Sequence, residues 1–449
     1  MRLPCFPPRT LALVAGLAAP LPLLAQAGRV SYDTFSLANG LRVISSRDHS
    51  TPIVSVDLWY DVGSRNERPG RSGFAHLFEH MMFQGSANVK KAEHFQLIER
   101  AGGTMNGSTN EDRTNYFETV PSNRLNLALW LEADRMRSLA ITQENFENQR
   151  ETVKEERRLG VENRPYAQAF LDGVSALYDS AGCFAYAHSV IGSMDDLNAA
   201  PLADVQAFFD TYYAPNNATL AVVGDFDPAE LRRLVERYFG DIPRRAAPPP
   251  VACEYRFSPG MVRREVEDRL ANLPAVLRLY RVPEHRHPDV AALELLNVIL
   301  GQGESSRLNV AVVRRAQAAL VTQVFLLGSR RGPGVLAALG VANQGVPPAR
   351  VDSLIAAEVQ AIRTGGVTAE ELTKAKNTFR AQFIAGRQTT LNKAEALQHY
   401  AMFHDSLAEI NTELDRVLAV TAEDLRRVAT RYLDSANALV IVVRPGGGQ

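Results

Sequence analysis

Three residues on one short apolar stretch have the types and spacing to do chemistry. Within Gly73-Phe-Ala-His-Leu-Phe-Glu-His-Met-Met-Phe-Gln-Gly85, the residues His76, Glu79 and His80 stand in the order His-x-x-Glu-His. On a helix, positions i, i+3 and i+4 share one face. Two imidazoles one turn apart can therefore hold one Zn2+ from the same side, and the Glu between them can direct a carboxylate at metal-activated water. This is the inverted order of the zinc-peptidase helix motif. The competing account is a polar patch on a buried helix. It is the weaker one, because two histidines and an acid on an apolar helix are costly without a ligand.

A catalytic zinc needs a third protein ligand and keeps one position for water. Acids are densest in the helix-like stretch Glu144 to Glu162, where Val153 and Leu159 mark an expected buried side. Most acids there form a solvated face. By spacing alone either Glu155 or Glu156 supplies the ligand, with Glu147 or Glu151 placed to orient a histidine from behind.

These residues need a frame, and the chain has the length for more than one domain: 449 residues, 46% apolar and 22% charged, an ordinary globular composition. Lys plus Arg number 49 and Asp plus Glu 50, with no basic block, which excludes a nucleic-acid-binding footprint. Residues 1–27 read as a cleaved export signal: Arg2 and Arg9 precede the apolar run Leu11 to Leu24, which ends in Ala-Gln-Ala. Pro20 and Pro22 break that run and no later stretch is long enough to span a bilayer, so an exported, periplasmic or secreted protein without an integral membrane segment is expected. Cys183 and Cys253 then remain, and their separation leaves open whether they pair.

Strand-like runs such as Ile53 to Tyr60 and Ala275 to Tyr280 alternate with helical patterns such as Pro201 to Tyr213 and Ala349 to Thr364. A Pro-rich run at 243–254 reads as a linker between residues 28–242 and 255–449. Asp204, Val205, Phe208, Tyr212, Asn217 and Ala218 recur as Asp424, Leu425, Val428, Tyr432, Asn437 and Ala438, each displaced by 220 positions, and both series end in an apolar strand-like run. The expected fold class is α+β: two similar α/β domains from an internal duplication, each a mostly antiparallel sheet packed with helices. The second half has no His-x-x-Glu-His. Near the equivalent place it has the apolar run Leu296 to Leu300.

From about Val30 onward the chain resembles the pitrilysin/insulinase family of zinc peptidases, especially its single-chain members of mitochondrial-processing-peptidase size. The likeness lies in Leu37-Ala-Asn-Gly-Leu-Arg-Val, Trp59-Tyr-Asp-Val-Gly-Ser, the His76 to His80 motif, Gly102-Gly-Thr-Met-Asn-Gly-Ser-Thr and Arg150-Glu-Thr-Val-Lys-Glu-Glu. The resemblance implies one zinc per chain, bound by His76, His80 and Glu156, with Glu79 as the catalytic base. It implies that an extended peptide substrate pairs with an edge strand at Asn106 and Gly107, a β-augmentation. An acid common in the family seven residues before the third ligand is Gln149 here.

A further departure concerns partners. The family places an Arg and a Tyr seven residues apart in the second half to hold substrate near the zinc; here Arg314 matches the Arg, but Val321 stands at the Tyr position and donates no hydrogen bond. A dimer is expected, with a related subunit supplying the Arg/Tyr pair in a heterodimer, or a homodimer using Arg314. The alternative class of function is a non-catalytic or scaffold subunit supporting an active peptidase. Other features read as structural: Gly301-Gln-Gly303 as a helix C-cap, Phe325 to Leu327 as core, and His188, His285 and His287 as ordinary hydrogen-bonding histidines.

Overall fold

A computed structural model describes residues 29–254, 261–328, 331–404 and 406–446. The expected export signal lies outside them. In the first half the order is β1 (Asp33–Ser36), β2 (Arg42–Arg47), β3 (Ile53–Tyr60), α1 (Phe74–Met81), α2 (Glu93–Arg100), β4 (Thr104–Thr109), β5 (Thr114–Pro121), α3 (Leu125–Ser138), α4 (Gln143–Arg157), α5 (Ala167–Ser175), α6 (Met194–Asn198), α7 (Leu202–Tyr212), β6 (Ala218–Gly224) and α8 (Pro228–Phe239). The second half continues with β7 (Val262–Asp268), β8 (Ala275–Val282), α9 (Val290–Gly301), β9 (Ala319–Leu327), β10 (Gly334–Ala342), α10 (Pro348–Gly365), α11 (Ala369–Ala385), α12 (Thr390–Phe403), α13 (Glu413–Ala419), α14 (Ala422–Tyr432) and β11 (Ala438–Pro445).

The sheets run β1-β2-β6-β3-β5-β4 and β7-β11-β8-β10-β9, so β4 and β9 are equivalent edges. Among the described residues only β2 with β6 and β7 with β11 pair in parallel, and every other ladder is antiparallel. The 220-residue displacement holds element by element, since α7 and β6 correspond to α14 and β11. Asn217 Nδ2 donates to the Tyr212 carbonyl at 2.9 Å, and Asn437 Nδ2 repeats the bond to Tyr432 at 2.6 Å. The expected duplicated α+β fold is the fold observed.

Both faces of each sheet are covered, and the halves exchange a cover. Val54, Val56, Leu58 and Tyr60 on β3 pack with Leu77, Phe78 and Leu129 in the first core. On the opposite face, Ile44, Ala221 and Val223 meet Ala394, Leu397 and Tyr400 of α12 from the second half. Conversely, Ala169 and Val174 of α5 pack against Leu277, Leu279 and Ile441 of the second sheet. Gly173 permits this approach, because a Cβ there would lie 2.7 Å from Ile441 Cδ1. Double burial explains why β6 and β11 read as almost continuous apolar runs. Cys183 and Cys253 form a disulfide, and the Glu254 amide donates to the Gly182 carbonyl at 2.9 Å, so the Pro-rich run is fastened to the first half at its far end.

Two sequence expectations about the core need correction. Leu159 is 60% exposed, because α4 gives way at Arg158 to a wider π-helical turn through Glu162 that turns Val161 inward instead. Phe325 is exposed and Leu326 and Leu327 are half-buried, because β9 is a sheet edge. His285 does hydrogen-bond, as expected, and its partners are His399 and His404. The Gly301 to Gly303 reading stands: α9 ends at Gly301 and Gly303 has φ +77°.

Candidate metal centre

Helix α1 starts where the chain makes a close crossing. Gly73 takes φ +87°, and a Cβ on Gly192 would lie 2.5 Å from its Cα. No side chain of the cap residue bonds this helix start. Glu67 does so instead, its two carboxylate oxygens accepting from the amides of Gly73 at 2.9 Å and Ala75 at 2.7 Å. His188 secures Glu67 with a 2.9 Å contact from Nε2. Phe74, Ala75, Leu77, Phe78 and Met81 bury the opposite face of α1, which directs His76, Glu79 and His80 to one side.

Helix α4 packs against α1. Val153 is fully buried and Gln149 nearly so, and Glu156 shares their face at i, i+4 and i+7. Glu156 Oε2 lies 3.7 Å from His76 Nε2 and 3.3 Å from His80 Nε2, while Glu155 turns away to bond Arg158 at 2.9 Å. The two nitrogens and the carboxylate oxygen lie within 4.8 Å of one another. Two imidazoles and a carboxylate are a donor set suited to Zn2+, so these residues fit the implied metal. Glu147 and Glu151 do not orient a histidine: Glu147 accepts from Gln143 at 2.7 Å and Glu151 from Lys154 at 2.8 Å, both on the solvent side of the helix. Gln149 stands in that place, hydrogen-bonded to His80, whereas His76 Nδ1 is buried without a hydrogen-bond partner.

Electrostatics separates the group. Burial, followed by repulsion from His80, pushes His76 down to about 4. Burial also opposes the charging of His80, but the Glu156 and Glu79 carboxylates outweigh it and raise its pKa. The bond to His80 lowers Glu156. Burial raises Glu79, and the Thr109 hydroxyl, donating to Glu79 Oε2 at 2.6 Å, works against that rise. Sequence reasoning gave Thr109 no role, because its strand meets α1 only in the folded chain.

Asn106 and Gly107 lie on β4, the sheet edge, opposite Phe117 and Tyr116 of β5. The Asn110 amide donates to the Arg113 carbonyl at 3.0 Å. By strand alternation Asn106 and Ser108 then point their backbone groups at β5, leaving those of Met105 and Gly107 facing outward. The Asn106 side chain covers the outward Gly107 amide, its Oδ1 accepting at 2.9 Å. Gly107 also lies against Glu79: a Cβ there would be 3.3 Å from Glu79 Cγ. Arg113 ties the two strands together, Nη1 donating to the Ser108 carbonyl at 2.7 Å and to Asn115 Oδ1 at 3.0 Å. Arg314 is not brought to these residues. It pairs with Glu304, and Val321 is 39% exposed on β9. A cavity of about 470 Å³ beside Glu156 is lined by Val161, Phe170, Val174 and Ile191 of the first half and Leu327 of the second.

The two acids of α4 offer a test of ligand choice. Glu156→Gln is expected to lower bound zinc at least tenfold in elemental analysis after dialysis, while Glu155→Gln keeps a full equivalent. The reverse result would move the ligand by one residue.

Residues 42–175 match the family model described as Insulinase (Peptidase family M16), and residues 200–379 match the one described as Peptidase M16 inactive domain. A zinc protease of Helicobacter pylori, PqqE, is 30% identical over 426 residues, covering 94% of each chain. A solved protease structure from Helicobacter pylori superposes with a TM-score of 0.88 at 29% identity, covering 93% of this chain and all of that one. The periplasmic protease PqqL of Escherichia coli shares the fold, with a TM-score of 0.75 at 19% identity, and this chain spans 94% of itself but 48% of that longer chain. With a near full-length relative and a family match in each half, the chain belongs to the insulinase family, the M16 zinc peptidases.

Proposed function

We infer that this protein is an exported zinc metalloendopeptidase acting on extended or unfolded peptides. Its metal-bearing half is residues 28–242, and residues 255–449 form a half that holds no catalytic metal. The observation that carries this reading is the meeting of His76, His80 and Glu156 beside a buried Glu79, next to an open sheet edge. A zinc ion held by that trio supplies Lewis acidity and lowers the pKa of water. Glu79, raised by burial toward the range of a working base, takes the proton from the attacking water and hands it to the departing amine. Thr109 holds the Glu79 carboxylate in place. The outward groups of Met105 and Gly107 bind the substrate backbone without regard to sequence once Asn106 yields the Gly107 amide. The cavity beside Glu156 takes an apolar substrate side chain.

The chain does not complete the substrate clamp by itself. Arg314 is engaged by Glu304, and Val321 cannot donate to an oxyanion. A related subunit supplying an Arg/Tyr pair in a heterodimer completes it, and a homodimer using Arg314 is the rival assembly. Cleavage of an unstructured peptide library is expected to rise at least tenfold when a related subunit is co-expressed, together with a doubling of mass in solution. Full cleavage by this chain alone, unchanged by the subunit, would sink the heterodimer. No cleavage and no bound zinc under either condition would favour the scaffold reading.

A further inference from the structure

Three histidines outside the site described above converge on one point. His285 follows β8, His399 lies in the last turns of α12, and His404 caps that helix. Their Nε2 atoms face one another: His285 to His404 at 2.8 Å and His285 to His399 at 3.0 Å. Each ring stands steeply to its neighbours, at 84° between His285 and His399 and 87° between His285 and His404, an arrangement in which in-plane lone pairs meet while the ring faces do not stack.

The outer nitrogens determine what those lone pairs can do. His404 Nδ1 lies 3.1 Å from Glu409 Oε2, and the His285 ring bonds the Gly328 backbone. An imidazole whose Nδ1–H donates to a carboxylate or a carbonyl presents a bare lone pair at Nε2, the outer arrangement that metal-ligating histidines adopt. Two bare lone pairs at 2.8 Å repel unless a cation lies between them. Burial, first of all, holds His285, His399 and His404 below the ordinary histidine value, with the neighbouring rings adding to it at His285 and His399 and Arg416 at His404, which favours the neutral rings a metal takes.

Two Zn–N bonds of about 2.05 Å at the tetrahedral angle place their nitrogens about 3.3 Å apart, so the observed spacing needs a few tenths of an ångström of opening. A cavity of about 550 Å³ is lined by His285 and His404, giving an ion a way in and a solvent molecule the fourth position. Charges around it are mixed. Glu409 is bridged to Arg416 at 3.0 Å, Glu413 and Glu294 also line the cavity, and Arg286 donates to the Phe403 carbonyl.

We propose that His285, His399 and His404 form a second transition-metal site of the zinc class, distinct from the His76, His80 and Glu156 trio. Its place in the fold gives it a structural task. Helix α12 belongs to the second half but packs on the first sheet, and His285 leaves the strand β8 at the centre of the second sheet. An ion there fastens the end of α12 to the second sheet, and thereby one half to the other.

The test uses the full chain, saturated with Zn2+ alone and dialysed, with metal counted per chain in the wild type, His80→Ala and His285→Asn. The expected counts are about two, one and one. A second readout uses Co2+ in the His80→Ala background, where a visible ligand-field band is expected to vanish on adding His404→Gln. If His285→Asn fails to fold, that cobalt comparison decides, with fold checked by circular dichroism. Loss of one equivalent in His285→Asn with none lost in His80→Ala would support this site and overturn the catalytic trio. One wild-type equivalent that survives His285→Asn and disappears in His80→Ala would overturn this site and leave the trio intact. A cobalt band unchanged by His404→Gln would also overturn it, leaving a shared proton as the bridge between the rings.

Discussion

Glu79→Gln is expected to keep a full equivalent of zinc and the fold while peptide cleavage falls by about a hundred- to ten-thousand-fold. The amide is nearly isosteric and its carbonyl oxygen can still accept from Thr109, which now donates to Glu79 Oε2 at 2.6 Å, so packing at α1 is preserved. What it loses is the capacity to accept a proton from water and return it to the leaving amine. The proposed ligands His76, His80 and Glu156 are untouched, which separates loss of the proposed base from loss of the metal. Steady-state cleavage of a quenched peptide, with zinc measured on the same sample, provides the check. Turnover within threefold of wild type would remove Glu79 from the mechanism.

The largest stability effect is expected at Arg135. This residue of α3 is 1% exposed, yet its guanidinium is held by Glu132, at 3.0 Å from Nε, and by Glu118 at 3.4 Å, and it lies over the rings of Tyr116 and Phe83. His94 Nε2 sits 3.5 Å from Glu118 and is held far below its ordinary value by burial and then by Arg135. Burial, then Glu132, holds the Glu118 carboxyl far above the usual range. Arg135 is thus the cation that makes two buried carboxyls tolerable at β5 and α3, next to the edge strand β4. Arg135→Met should reduce stability by about 3–5 kcal/mol in urea unfolding, because it strands Glu132 in the core. Adding Glu132→Gln should restore at least half of that loss, since the uncompensated charge is then gone as well. A single variant within about 1 kcal/mol of wild type would show that the cluster relaxes without its cation.

Local periodicity made part of this protein legible from its residues alone. His76, Glu79 and His80 fall on one helix face because 3.6 residues make a turn, and the 220-residue repeat exposed the duplication because the same Tyr and Asn make the same bond in both halves. Composition and strand-like runs were enough for the α+β class. The proposed third ligand was narrowed by spacing only to two adjacent acids. Docking of α4 on α1 by Val153 turned Glu156 toward His76 and His80, while Glu155 went to Arg158. That choice is a matter of which side of α4 meets α1, and a lone solvated helix meets nothing. Leu159 failed as a core residue because a π-helical turn broke the register on which its placement depended.

The remaining features rest on contacts between residues far apart in the chain. The pairing of Cys183 with Cys253, the exchange of α5 and α12 between the sheets, Thr109 beside Glu79, and the meeting of His285 with His399 and His404 all join segments whose separation in sequence says nothing about distance. Burial of both sheet faces accounts for the exchange of α5 and α12: each sheet needed a second cover, and the helix that supplied it came from the other half.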